Sequence, residues 1–145
     1  MRMLEQLKPL SLLMLRLGLG LIFIYYGYPM LFTDAHRTAE SFAKIDLPFP
    51  MSYIVGIIEF FGGALLVAGL FTRVAALFLA GVMAGAIWKV HLGKGLLAVG
   101  EYQFALIVGL AAFTLATTGP GPISLDRAVL GEGAAPRPKA ARAKP

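Results

Sequence analysis

The sequence predicts an all-α fold, a transmembrane four-helix bundle with a short interfacial helix on the outer face between the first two spans. The composition is the first reason, because 58% of the 145 residues are hydrophobic and only 14% are charged. The mean hydropathy of +0.76 is higher than a soluble domain usually shows. The second reason is that four apolar runs are each about long enough to cross a ~30 Å hydrocarbon core. The third is an amphipathic segment between the first two runs, which favours a helix lying at the membrane surface.

Each span is defined by one of these apolar runs. The last two are near the short end of the crossing length, so we expect them to stand nearly upright. The four predicted spans are Leu10–Phe32, Ser52–Phe71, Val74–Val90 and Tyr102–Thr118.

The interfacial helix is predicted in the segment "TDAHRTAESFAKIDLPFPM", where Ala35, Ala39 and Phe42 recur at helical spacing among charged residues. Pro48 and Pro50 would prevent this helix from continuing into the second span. A solvated loop is the alternative interpretation.

The distribution of Lys and Arg predicts that both termini are cytoplasmic. Eight of these residues lie at the amino terminus, in the second loop and in the carboxyl-terminal segment, and four lie in the first and third loops. Positive charge favours the cytoplasmic side of short loops. We expect a domain over residues 1–130, followed by a disordered basic cytoplasmic tail over residues 131–145 that is weakly attracted to anionic lipid.

Small residues along the third span predict close helix packing. Ala76, Ala80 and Ala84 recur every four residues, and Gly81 and Gly85 have the same spacing. Small residues at this spacing let membrane helices approach closely. The spacing does not identify the partner helix.

Glu59 is an acid near the middle of "GIIEFFGGALLVAGLFTR", and an acid at that depth is costly unless it is satisfied or functional. The helical rise places it ~18 Å from the cytoplasmic end, with Tyr25, Tyr26 and Lys89 at comparable depths. We therefore expect Glu59 either to pair with Lys89 or to be protonated and hydrogen-bonded to a tyrosine. A purely structural role, tying helices together, is the alternative.

Most other polar groups in the predicted bundle fall in its outer half. Helix three ends and helix four begins in "WKVHLGKGLLAVGEYQ", which brings Lys89, His91, Glu101 and Gln103 across one short turn. The sequence thus predicts a pocket that opens outward, with Glu59 as its floor and His91 and Glu101 at its mouth, where the two could exchange protons with water. For His91 and Glu101, a role only in solvating the interface is the alternative.

Arg16 is the exception, since it lies near the cytoplasmic end of the first span. Its side chain points toward that end, so we expect it to snorkel to the cytoplasmic headgroups rather than to pair with Glu59.

Several kinds of chemistry are not expected. The chain has no cysteine, which excludes disulfide exchange, iron–sulfur clusters and c-type haem. The sequence shows no dinucleotide or phosphate-binding motif, no Glu-x-x-His pairs for a di-iron site and no nucleic-acid-binding signature. We therefore expect no metal site and no nucleic-acid partner, and any redox role would need an organic cofactor or a partner protein.

Together these segments resemble the DoxX family of small membrane proteins. The resemblance covers residues 10–127 and rests on "LRLGLGLIFIYYGYPMLF", "GIIEFFGGALLVAGLFTR", "GEYQFAL" and "GPGPISLD" in that order. It implies a four-helix membrane bundle related to a subunit of archaeal thiosulfate:quinone oxidoreductase and to a mycobacterial membrane-associated oxidoreductase complex.

One position departs from the family pattern. The family usually has His-Gly followed three residues later by Lys, whereas here Tyr26-Gly27 is followed by Met30. Lys89 could supply a cation at a similar depth.

Two functions remain open at this point. The first is the membrane subunit of a quinone-linked oxidoreductase complex, in which Glu59, His91 and Glu101 act on a quinone and Tyr25, Tyr26, Lys89 and Gln103 line its pocket. Electrons would then come from a redox partner. The second is a non-catalytic scaffold, or a module that binds or transports a small lipophilic molecule. Either would be a multi-pass protein of the prokaryotic cytoplasmic membrane in contact with the lipid bilayer, as a homo-oligomer or with a partner enzyme.

Overall fold

The computed structural model describes residues 1–91, 95 and 99–131. It confirms the predicted all-α membrane bundle. Within the described residues, three helices are long and apolar enough to cross a membrane, and the predicted fourth span, Tyr102–Thr118, is a shorter apolar helix. The predicted tail lies outside the described residues from position 132 onward.

The helices follow the predicted order, with an additional short helix at the amino terminus. The elements are α1 (Arg2–Gln6), α2 (Lys8–Tyr28), α3 (Ala35–Ala43), α4 (Phe49–Ala68), α5 (Thr72–Ala86) and α6 (Val99–Thr118).

Within the residues that the structure describes, three π-helical turns extend or follow these helices, and the sequence did not predict them. The first continues α2, where the Asp34 N–H donates to the Pro29 carbonyl five residues earlier at 2.8 Å. The second continues α5, and the third closes the described chain. Wide turns of this kind often occur beside functional sites. They span Pro29–Thr33, Ile87–His91 and Asp126–Leu130.

The bundle is built from two closely packed helix pairs, α2 with α4 and α5 with α6, joined by contacts between α4 and α5. Successive long helices run in opposite directions. One end of the bundle, the α3 end, therefore carries α3, and the opposite end carries the α4–α5 turn. The core side chains come from all four long helices and include Phe23, Leu66, Leu79, Ala112 and Leu115.

Glycine permits the closest contact, which lies between α2 and α4. A Cβ atom added to Gly63 would stand 2.6 Å from the Gly20 carbonyl oxygen, and one added to Gly27 would stand 2.5 Å from the Phe60 nitrogen. Distances this short leave no room for any side chain. Gly20 and Gly27 therefore set how closely α2 approaches α4.

The predicted close contact through Gly81 and Gly85 is wrong. A Cβ added to either glycine would meet no atom within 4 Å, because this face of α5 is turned toward a cavity rather than toward a helix. Of the predicted alanine stripe, Ala76 is fully buried and Ala80 packs against the core, whereas Ala84 is exposed.

The predicted interfacial helix is present as α3, which packs on α4. Ala39 is fully buried and Phe42 is half-buried. Asp34 occupies the N-cap position, but its side chain makes no capping hydrogen bond. Pro48 precedes α4 in an extended conformation, as expected for a residue that ends one helix before the next begins.

Candidate functional site

A cavity of about 610 Å³ lies between α4 and α5 and is covered at one end by α3. The chain after α3 contributes Ile45 and Leu47, and α3 itself contributes Phe42. Most of the wall is apolar, with Met51, Ile54, Val55 and Ile58 from α4 and Leu77, Phe78, Val82 and Ala86 from α5. We call this space the Glu59 cavity, after its most buried charged residue.

Glu59 lines this cavity and is only 4% exposed. It is the lining residue of α4 farthest from the α3 end, so it marks the deep end of the α4 wall. Within the described part of the chain, its Oε2 atom has no hydrogen-bond partner. A buried polar atom without a partner is costly and rare in a folded protein. The structure therefore leaves one oxygen of this carboxyl group buried beside the cavity without a hydrogen bond from the described residues.

Lys89 lines the same cavity from the π-helical turn that continues α5. Met30, from the π-helical turn that continues α2, lies on the opposite wall. The sequence-based conjecture that Lys89 supplies a cation to the region of Met30 thus agrees with their shared cavity. The cavity-lining residues Met30 and Lys89 thus each belong to a π-helical turn.

The predicted direct partners of Glu59 are not found. Among the described residues, the ion pairs are Lys8–Glu5 and His36–Glu40, so Glu59 and Lys89 are not in direct contact. The tyrosine alternative fails as well, because Oε2 has no partner. The contact that fixes the position of Glu59 is instead a close approach of two helices, in which Gly27 of α2 packs against the Glu59 Cβ atom and against Phe60 of α4.

Tyr25, Tyr26 and Gln103 do not line the Glu59 cavity. The side chain of Tyr25 is 74% exposed and stands edge-on to Tyr26, with the ring centroids 5.4 Å apart. Tyr26 packs on Phe104 of α6, and Gln103 lines a separate shallow groove along that helix. The expectation rested on depth alone. Each residue turns by about 100° around a helix axis, so residues at one depth can face different sides of the bundle.

His91 and Glu101 were predicted to form the mouth of the pocket. Their backbones belong to the π-helical turn after α5 and to α6. Their side chains lie outside the described residues, so the predicted roles stay predictions.

Arg16 does not snorkel to the headgroups as predicted. It is 3% exposed, and its Nη1 atom donates a hydrogen bond of 2.8 Å to the carbonyl of Pro120. Its guanidinium also packs against Gly69, where an added Cβ would stand 2.8 Å from Cζ. The segment after α6 folds back over this end of the bundle and gives Arg16 a protein partner in place of lipid. As predicted, Arg16 does not pair with Glu59.

Asp126 is fully buried at this same end, and the sequence-based search did not select it. Its two carboxylate oxygens accept hydrogen bonds from the Phe71 N–H at 2.6 Å and from the Thr72 N–H at 2.9 Å. It therefore caps the amino terminus of α5, where an acid also complements the helix dipole. The signal was present in "GPGPISLD", but about 55 residues separate the cap from the helix it serves.

The backbone at this end is strained, which indicates how firmly it is held. Phe71 adopts a left-handed conformation with a φ of 49°, which is costly for a bulky residue and persists only when the surroundings fix it. Asp126 supplies that constraint through the Phe71 N–H. We call Arg16, Gly69, Phe71, Thr72 and Asp126 the capped end.

Comparison with known proteins agrees with this architecture. The chain matches the model of the DoxX family over residues 11–92. It is similar to the Bacillus subtilis (strain 168) protein named "Putative oxidoreductase CatD", with 34% identity over 114 residues that cover 79% of this chain and 83% of that protein.

The alignments with two other bacterial relatives cover nearly the whole length of each relative. Inner membrane protein YphA of Escherichia coli K12 is 35% identical over 129 residues, which cover 83% of this chain and 91% of that protein. An uncharacterized protein of Haemophilus influenzae is 32% identical over 136 residues, which cover 87% of this chain and 96% of that protein. No solved structure matches the chain. The family match extends over more than half of the 145 residues, and these relatives align over most of their length, so the chain belongs to the DoxX family.

Proposed function

We propose that this protein is the membrane subunit of a quinone-linked oxidoreductase complex and that the quinone head group binds in the Glu59 cavity. The observation that carries the proposal is the buried Oε2 atom of Glu59, which has no partner among the described residues and belongs to a residue in the wall of an apolar cavity. A volume of about 610 Å³ is in the range of small-molecule sites. A quinone suits such a site because it combines an apolar ring with oxygen atoms that accept or donate hydrogen bonds.

The role of Glu59 follows from its chemistry. As a carboxylate it accepts a hydrogen bond and a proton from a quinol hydroxyl, and as a carboxylic acid it donates to a quinone oxygen. The lining is mostly apolar, and Glu59 is the one acid among its described residues, so in this proposal the exchange is directed to Glu59. Lys89, which is exposed, stands nearer the α3 end and favours negative charge near the mouth.

Electrons come from a partner protein in this proposal, since the chain has no cysteine with which to hold a thiolate-ligated redox centre. The name of the relative CatD, a putative oxidoreductase, supports a redox role. A membrane subunit that supplies a quinone site to a soluble enzyme accounts both for the absence of cysteine and for the name of this relative.

We further propose that the protein lies in the bacterial cytoplasmic membrane with both termini in the cytoplasm, so that the α3 end faces outward. The relative named inner membrane protein YphA supports the choice of membrane, and the charge distribution supports the orientation. The exposed Ser41 of α3 and Glu5 of α1 are at opposite ends of the bundle. A membrane-impermeant maleimide added to intact spheroplasts should label Ser41→Cys and not Glu5→Cys. The reverse pattern would refute the orientation.

The alternative is a module that carries a lipophilic molecule without redox chemistry, or a scaffold. The apolar lining favours this alternative, since in the described residues only Glu59 and Lys89 bring charge to the cavity. The two functions differ in whether a quinone binds through Glu59.

Binding of a quinone analogue tests the proposal directly. Purified protein is titrated with short-chain ubiquinone and menaquinone analogues, alongside Glu59→Leu and the matched control Gln103→Leu, whose side chain lines a different groove. We expect saturable binding to the unchanged protein and about tenfold weaker binding to Glu59→Leu, the effect of one lost hydrogen bond in a buried site. Gln103→Leu should bind within about twofold of the unchanged protein.

Two results would contradict the proposal. One is the absence of saturable binding of either analogue to the unchanged protein. The other is equal affinity of Glu59→Leu and Gln103→Leu. A non-redox lipid recovered from the cavity after mild extraction would then favour the carrier function.

A further inference from the structure

Two glycines of α5, Gly81 and Gly85, line the Glu59 cavity one helical turn apart. A Cβ added to either would meet no atom of the described residues within 4 Å, so no helix that the structure describes requires them to be small. Glycine in the interior of a helix is unfavourable relative to almost any other residue. Contact with the described helices of this chain therefore does not account for these two glycines, which differ from the equally open Gly18 in that they line the cavity.

The contrast with α2 and α4 makes this clear. Gly20, Gly27 and Gly63 lie where an added Cβ would come within 2.7 Å of backbone atoms of the facing helix. Those glycines are required by contact between helices. Gly81 and Gly85 border empty space instead, and glycine is the residue that lets a ligand approach the backbone closely.

The shape of the cavity along α5 indicates what occupies that space. Its lining runs from Leu77 to Lys89 on this helix, a length of about 18 Å at 1.5 Å per residue. Leu77 and Phe78 are each 59% exposed, and Ile54 on the facing helix is 50% exposed. These lining residues lie on the outside of the bundle, so the cavity opens sideways between α4 and α5 to the hydrocarbon of the membrane.

Glu59 provides an independent indication of a ligand in the same space. It is 4% exposed, it lines the cavity, and its Oε2 atom has no partner among the described residues. A polar group in the wall and an apolar channel beside it match an amphipathic molecule with one hydrogen-bonding head and a long apolar chain.

We propose that Gly81 and Gly85 form a channel for the apolar chain of the ligand, which lies along α5 and leaves the protein sideways between α4 and α5 into the bilayer. The proposal rests on the proposed function, since the head of this ligand is the quinone bound at Glu59. It adds that the site selects quinones by their chain and admits them from within the membrane. A residue larger than glycine at either position blocks the chain and leaves the head-group position open.

The test compares two probes that share a head group, a ubiquinone analogue with a decyl chain and the same ring without a chain. Both are titrated into the unchanged full-length protein and into Gly81→Leu and Gly85→Leu. Gly18→Leu is the matched control, because Gly18 also lies in a long helix with nothing within 4 Å of an added Cβ but does not line the cavity. All three substitutions replace glycine with a good helix former, so the helices are retained. Gly81→Ala serves as a milder variant.

We expect the unchanged protein to bind the decyl probe at least about tenfold more tightly than the ring alone, because its chain is buried. In Gly81→Leu and Gly85→Leu that preference should fall to within about twofold, while the affinity for the ring alone stays the same. Gly18→Leu should behave as the unchanged protein, and Gly81→Ala should lie between.

Two patterns would overturn the channel and leave the quinone site intact. In the first, Gly81→Leu and Gly85→Leu keep the full preference for the decyl probe. In the second, they lose affinity for both probes equally, which shows that the ring position was blocked. Failure of the unchanged protein to bind either probe would instead refute the proposed function, and the channel with it.

Discussion

The capped end and the Glu59 cavity both bury charged side chains, but the charged groups of the capped end make hydrogen bonds to the backbone and the Glu59 side chain makes none with the described residues. At the capped end, the Asp126 carboxylate accepts two backbone hydrogen bonds and the Arg16 Nη1 atom donates to the Pro120 carbonyl. Among the described residues, the Arg16 Nε and Thr72 Oγ1 atoms there have no partner. In the cavity, the described residues leave the Oε2 atom of Glu59 without a partner. The hydrogen bonds of Asp126 and Arg16 join segments that are distant in the chain, whereas no described residue bonds the Glu59 carboxyl oxygen Oε2, which agrees with the proposal that a ligand completes that site.

The same contrast appears in the glycines of the two regions. Gly69 at the capped end has a φ of 71° and packs against the Arg16 guanidinium, so both its conformation and its contacts require glycine. Gly85 in the cavity wall is helical and open on its free side. The glycine of the capped end is therefore tightly constrained, whereas the glycine of the cavity wall borders open space in the same small bundle.

The largest expected effect is at Asp126. Replacement by Ala removes the acceptor for two N–H groups and leaves Arg16 without the nearby negative charge, which should lower the free energy of unfolding by about 3–5 kcal/mol. Asp34→Ala is the control, because Asp34 is exposed and makes no capping bond, and it should change stability by less than about 0.5 kcal/mol. Thermal unfolding in detergent micelles compares the two. Similar melting temperatures for the two variants would show that the capped end is not held by Asp126.

Glu59 should show an effect of the opposite sign. Glu59→Leu removes a buried polar atom that the described residues leave unsatisfied and fills the space with apolar atoms, so the ligand-free protein should gain about 1–3 kcal/mol. Glu59→Gln keeps a polar group and should stay close to the unchanged protein. The same thermal measurement on ligand-free samples decides the sign. A lower melting temperature for Glu59→Leu would mean that Glu59 stabilises the bundle and that the contrast with the capped end is false.

The smallest expected effects are at the two glycines. Gly69→Ala places a side chain in the left-handed region and against Arg16, which should cost about 1–2 kcal/mol. Gly85→Ala meets no atom and gains helix propensity, so it should stabilise the ligand-free protein by up to about 1 kcal/mol. Parallel melting curves of the two variants provide the test. Equal losses at both positions would show that α5 needs glycine for packing after all.

The sequence predicted the placement of Glu59 and Lys89 in one cavity, because an acid inside an apolar span and a base near the end of another are strong signals at known depths. It did not predict that Tyr25, Tyr26 and Gln103 lie elsewhere. Depth follows from a fixed rise per residue, whereas the direction in which a side chain points depends on how each helix is rotated against its neighbours. That rotation is set by contacts such as Gly20 with Gly63, which no local pattern shows.

The sequence by itself determined the class of the protein, the order of its helices and the presence of an amphipathic helix before α4, because hydropathy and periodicity act over one element at a time. Only the tertiary structure decided that Arg16 is buried, that Asp126 caps a helix about 55 residues away in the chain, and that Gly81 and Gly85 face a cavity rather than a helix. Each of these depends on which surfaces meet when the bundle closes. A short stretch of sequence specifies how a helix forms, but the free energy of burying its side chains depends on partners that are distant in the chain.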